Sequence, residues 1–222
     1  MTRSRRTASL SLSLLATVLL ALTACRSTPS VGKIDLRALG TSARALEHGL
    51  SHGCYGVDAS TSSFWFSDIA LEDLPVAPGA ALPDAVFLHA QLLWLPQPGR
   101  TPLSDEATNV VVRIAIVSKG EVGVYGGAAF AEVDGSLGTE EVTIALRGGT
   151  LKLIESTAGF VDPLSPAGLT ASLTAQPAPD RALAWKRAVA QIVTNATGRS
   201  TWVRALPVDD ETGTVGRQFV SR

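Results

Sequence analysis

Glu141–Ser156 reads EVTIALRGGTLKLIES, two arms of alternating apolar residues that meet at Gly148-Gly149. A two-residue turn there sets Leu146 opposite Leu151 and Ile144 opposite Leu153. Both pairs fall on one face, so register and hydrophobic pattern agree. Glycine supplies the positive φ that such a turn requires. The segment predicts an antiparallel hairpin, and the stretches on either side extend the same pattern.

Upstream, SFWFSDIAL (Ser63–Leu71), AVFLHAQLLWL (Ala85–Leu95) and NVVVRIAIV (Asn109–Val117) are β-prone runs bounded by proline- and glycine-rich loops. Lys119-Gly120 makes a tight turn into EVGVYGGAAFAEV (Glu121–Val133), which Asp134-Gly135 ends. Downstream, GLTASLTAQ (Gly168–Gln176) adds a strand, and STWVRAL (Ser200–Leu206) reads as another. Gly123, Gly126 and Gly127 precede strand rather than helix, so they mark a bulge or close strand packing and not a dinucleotide fingerprint.

Two segments have helical spacing. Leu36, Leu39, Ala43, Leu46 and Leu50 predict a short helix over Ile34–Leu50, interrupted by Gly40. Pro179-Asp180 opens a better one, with Ala182, Trp185, Ala188, Val189, Ile192 and Val193 as its apolar stripe and Gly198 just past its end. There is no βαβ rhythm and no internal repeat. The expected fold is mainly β with two helices: an antiparallel sheet, either a sandwich or a curved sheet covered by helix.

The N-terminus carries a different message. Arg3, Arg5 and Arg6 precede LSLSLLATVLLAL (Leu10–Leu22), and Leu22-Thr23-Ala24-Cys25 follows. A basic opening, a short apolar run and small residues make a secretory signal, too short to span a bilayer as a permanent helix. The tetrapeptide resembles the lipobox of bacterial lipoprotein precursors. The resemblance covers only the first 25 residues. It implies cleavage between Ala24 and Cys25, with a diacylglyceryl group on the Cys25 thiol. It also implies a protein anchored by lipid outside the cytoplasm. Arg26 stands where an Asp would retain such a protein in the inner membrane, so in a two-membrane host the outer membrane, facing the periplasm, is expected. The organisation is then residues 1–24 signal, 25–33 lipidated tether, 34–206 a single β-rich domain and 207–222 a polar tail.

Without the signal, sixteen basic residues face twenty acidic ones, a net charge of about −4. That balance, with no basic stripe, argues against nucleic acid as a partner. Cys54 is the one cysteine left once Cys25 is acylated, so an intramolecular disulfide is excluded; it reads as a small buried hydrophobe.

Candidate chemistry is sparse. His48, His52 and Cys54 have the spacing of a partial zinc or copper site, although Gly49 and Gly53 disfavour a rigid helix beneath them. His89 alternates with Phe87 and Gln91 on one strand face and reads as a hydrogen-bonded, partly buried histidine. Asp68, Glu72 and Asp73 offer carboxylates beside Phe64, Trp65 and Phe66. Trp65 and Trp94 are candidates for stacking on a sugar ring, with core packing the simpler reading. No G-x-S-x-G, H-E-x-x-H or Walker A pattern occurs, no catalytic residue is assigned, and no cofactor is implied. The expectation is a membrane-anchored envelope lipoprotein whose domain binds or scaffolds an envelope protein or glycan. The alternative is an envelope hydrolase acting on cell-wall or glycan substrates through carboxylates or His89.

Overall fold

The computed structural model describes residues 30–41, 44–58, 61–75, 80–95, 107–200 and 202. Its strands are β1 (Gly32–Ala38), β2 (Ala45–Leu50), β3 (His52–Val57), β4 (Ser62–Ser67), β5 (Ala85–Leu92), β6 (Val110–Ser118), β7 (Glu121–Asp134), β8 (Val142–Ser156) and β9 (Ala167–Pro177). One α-helix, α1 (Pro179–Thr197), follows β9. Consecutive strands pair antiparallel from β3 to β9, and β1 pairs with β2 in the same way. Ser51 alone separates β2 from β3, so the two act as one kinked strand passing from β1 to β4.

β9 closes the sheet. Its residues Ala167–Leu173 pair with β1 along one edge and with β8 along the other. Beyond the start of β1, Gln176 and Pro177 run parallel to Cys54 and Tyr55. The product is an up-and-down barrel; the seam of β8 with β9 removes the free edge that β8 would expose in an open sheet, while among the described residues β2 pairs only with β1.

Alternation sorts the side chains onto two faces. Ile34, Leu36, Phe64, Leu88, Ile114 and Ile144 meet in one buried cluster inside the barrel. The outward residues of β1 are Lys33, Asp35 and Arg37. An apolar interior with a charged outer row is the reverse of a membrane-spanning barrel. Among the described residues, no helix is long and apolar enough to cross a bilayer.

A second cluster lies outside the barrel, beneath α1. Cys54, Trp65, Phe87, Val122 and Val124 from the sheet meet Ala182, Trp185, Val189, Ile192 and Val193 from the helix. The predicted apolar stripe is therefore the buried face, Pro179 stands in the first turn, and Gly198 ends the helix at φ 71°. Because α1 covers one side of the barrel, β6 is buried on both faces for much of its length and reads as almost unbroken Val, Ile and Ala.

The strands expected at Ser63, Ala85, Asn109 and Glu121 form close to where alternation puts them, and the turn at Lys119-Gly120 has positive φ at both residues. Two expectations are corrected. Ile34–Leu50 is not a helix but β1, a turn and β2. Ile34 and Leu36 alternate with charged residues at a period of two, and that pattern prevails over the looser helical spacing. One α-helix, not two, therefore covers the sheet among the described residues. Gly148-Gly149 is not a hairpin turn. β8 runs straight through it, and Leu146 lies opposite Ala131 and Ala171 rather than Leu151. The pairing with β9 slips between Leu146 and Gly149, with Gly148 at φ 58°, so the glycines form a bulge. β1 also begins inside the stretch read as tether. Apart from Ser200 and Trp202, the segment 200–206, like the tail and everything before residue 30, lies outside the described residues.

Close packing of β7 on β8 requires glycine at 127. A Cβ there would stand 1.9 Å from the Thr150 carbonyl oxygen, a backbone atom with little room to yield. Gly127→Ala should therefore destabilise the protein by about 1–3 kcal/mol, measured by urea denaturation against the unsubstituted chain.

Candidate functional site

The outer face of the barrel carries one polar row within the layer that α1 covers. Trp65 on β4 lies in register with His89 on β5, and His89 with Arg113 on β6. All three point outward, because Phe64, Leu88, Val112 and Ile114 beside them point in. α1 brings Lys186 to this row, and Trp202 follows the helix to pack against Trp65 with ring centroids 6.2 Å apart. Together with Asp58 and Thr61, these residues line a pocket of about 110 Å³.

His89 lies flat on Trp65, with centroids 4.1 Å apart and ring planes 18° from parallel. Its Nε2 is sealed from solvent and has no hydrogen-bond partner, in contrast to the satisfied histidine expected from sequence. Burial pushes its pKa down to about 3, and the positive charges of Arg113 and Lys186 act in the same direction. The imidazole is thus neutral at physiological pH and far too weak a base for general-base catalysis near neutrality.

Arg113 is only 8 % exposed. Its Nη1 donates to the Trp202 carbonyl oxygen, and desolvation lowers its pKa. The indole Nε1–H of Trp202 is buried without an acceptor. Asp58 is engaged by Thr61, whose backbone N–H and Oγ1 donate to Asp58 Oδ1 at 2.8 and 3.1 Å.

The other candidate residues lie elsewhere. His48 Nε2 meets Asp68 Oδ2 at 2.7 Å, while Asp68 Oδ1 accepts the Val86 N–H. This joins β2 to the start of β5. His52 and Cys54 share a face of β3, but the kink at Ser51 changes the alternation. Leu50 and Tyr55 both point into the barrel, which leaves Cys54 on the opposite face from His48. Among the described residues, no group of three or more His, Cys, Asp or Glu stands together to hold a metal. Burial pushes the Cys54 thiol up to about 11, although Arg181 pulls it the other way. Glu72 pairs with Arg181 at 3.0 Å, so neither it nor Asp68 joins His89. Trp65 is 2 % exposed between His89 and Trp202. Trp94 is 39 % exposed at one end of the barrel and lines an adjoining cleft of about 280 Å³ with Val57, Leu93, Leu95 and Leu137, which shares Asp58 and Thr61 with the pocket.

Comparison of the chain with known protein families, with curated proteins and with solved structures finds no match in any of the three. The site therefore rests on its own geometry. Sequence reasoning reached His89 and Trp65 but missed Arg113, Lys186 and Trp202. One signal was present: a lone arginine inside NVVVRIAIV is a charge in a strand that is otherwise apolar on both faces.

Two measurements follow from the burial of these groups. Unfolded, His89 titrates near pH 6.5; folded, it stays neutral to about pH 3. Between those values the unfolded chain binds the extra proton, so stability rises with pH and is lost as pH falls below about 6.5. Denaturation at several pH values should show His89→Gln losing up to about 1.4 kcal/mol per pH unit less than the parent in this window. For Cys54, a thiol-reactive disulfide reagent should label the denatured protein at once and the native protein only at the rate of unfolding.

Proposed function

We propose that the chain is a membrane-anchored bacterial envelope lipoprotein whose barrel is a non-enzymatic binding or scaffolding domain. Acylated Cys25 holds it outside the cytoplasm, on the periplasmic face of the outer membrane in a two-membrane host. The observation that carries the binding reading is the pocket beneath α1. Among the described residues it gathers hydrogen-bonding groups that lack partners around a small cavity, and its histidine is too weak a base to serve hydrolysis near neutral pH.

The path of the chain supports the anchored reading. In a meander, β1 starts at the end of the barrel where β3 and β5 finish. Val57, Leu93, Trp94 and Leu95 are exposed at that end. Four residues lie between Cys25 and Ser30, so the five steps from one to the other reach at most about 18 Å. A lipid on Cys25 would keep this apolar rim close to the bilayer, where tryptophan suits the interfacial region. The hydrolase alternative has less behind it, since Asp68 and Glu72 are tied to His48 and Arg181.

The anchor is tested by metabolic labelling with a fatty acid in a bacterial host. Label should enter the mature protein, and Cys25→Ala should abolish labelling and block lipoprotein-type processing. A Cys25→Ala protein that still matures at Ala24, with unchanged membrane association, would overturn the lipoprotein reading.

A further inference from the structure

Among the described residues, the lining of the pocket beneath α1 carries an uncompensated charge. Arg113 and Lys186 contribute two cations, Asp58 one carboxylate, and His89 is neutral. Among the described residues, neither Arg113 nor Lys186 forms an ion pair. A guanidinium buried this deeply is costly without a counter-charge, and the Trp202 carbonyl occupies only part of its five-donor fork. Trp202 is 2 % exposed, and its indole N–H, which can only donate, has no acceptor. The neutral imidazole of His89 can likewise carry its proton on the unpartnered Nε2. Every unmet group in the pocket can therefore donate to an acceptor that the described residues do not supply.

We infer that this pocket is a carboxylate-binding site, in which Arg113 and Lys186 hold a monoanion and the indole N–H of Trp202 and the imidazole of His89 complete its hydrogen bonds. A planar carboxylate matches the guanidinium fork. One negative charge neutralises the described lining, whereas a phosphate dianion would add a second. A cavity of about 110 Å³ holds a carboxylate with a short stem and little more. The carboxylate has two sources: a small molecule or envelope component, or this chain's own Asp209, Asp210 and Glu211, which follow Trp202 in sequence. The inference rests on reading the barrel as a binding domain and is independent of the lipid on Cys25.

The test follows the indole N–H resonance of Trp202 in the full chain, purified in mild detergent, during titration with acetate at constant ionic strength. Chloride alone is the control. A second series uses the chain with Asp209→Asn, Asp210→Asn and Glu211→Gln. Lys186 is exposed on α1, so Lys186→Ala tests the site without endangering the fold. Saturable movement with acetate in the parent chain supports an external carboxylate. Saturable movement only after the three tail substitutions supports the tail as occupant. In either case Lys186→Ala should weaken acetate binding by about threefold or more. The inference is overturned if acetate does no more than chloride in both chains, or if Lys186→Ala leaves the titration unchanged. Failure here would leave fatty-acid labelling of Cys25 untouched, so the pocket and the anchor are judged separately.

Discussion

Pairing of β9 along both edges is the constraint on which the rest of the molecule depends. Ala167, Leu169, Leu173 and Ala175 point into the barrel and Thr170, Ser172 and Thr174 point out, so one register satisfies β1 and β8 together. A slip of one residue would turn the apolar row to solvent on both seams at once. Closure also places the helix. The Ala178 N–H donates to the Tyr55 carbonyl at 2.9 Å as β9 ends, and α1 starts at the next residue, over β3. From there its apolar stripe reaches Phe87, and Lys186 comes to the row of Trp65, His89 and Arg113. The pocket is thus a product of where the ring is joined.

Two opposed effects meet in that pocket. The layer beneath α1 gains stability by excluding water from Trp65, Phe87 and Trp185, and the same exclusion raises the energy of every polar group trapped with them. Elsewhere among the described residues, the protein answers each such group. Tyr55 Oη donates to the Glu140 carbonyl and accepts the Gly138 N–H, and the Asn109 side chain bonds both the N–H and the carbonyl of Ala131. Around His89 and Trp202 it does not. Unmet hydrogen bonds in a fold otherwise careful about them mark a place selected for something other than stability.

Much of the architecture could be read from sequence, because alternation at a period of two is a local property. The long helix was equally readable, its stripe being wide and its ends marked by Pro179 and Gly198. What failed was local reading at glycine. Gly148-Gly149 has the composition of a tight turn, but a bulge also calls for positive φ, and only the neighbours on both sides of β8 decide between them. Ile34–Leu50 failed for a related reason: Leu36, Leu46 and Leu50 satisfy helical and strand spacing alike. The site was half legible. His89 and Trp65 attract notice as residue types, whereas Lys186 and Trp202 acquire meaning only after α1 folds back across the sheet. Arg113 was visible as an anomaly without a neighbour to explain it.

The seam between β1 and β9 joins residues more than a hundred positions apart. A chain that emerges N-terminus first makes the hairpin of β1 and β2 early, then holds the outer edge of β1 open until β9 arrives. Contacts of such long sequence separation are slow to form. Throughout that wait Ile34 and Leu36 stand on a strand with one unpaired edge, a template for the wrong partner. The alternating charges of Lys33, Asp35 and Arg37 on its outer face are the natural safeguard against aggregation while the barrel is unfinished.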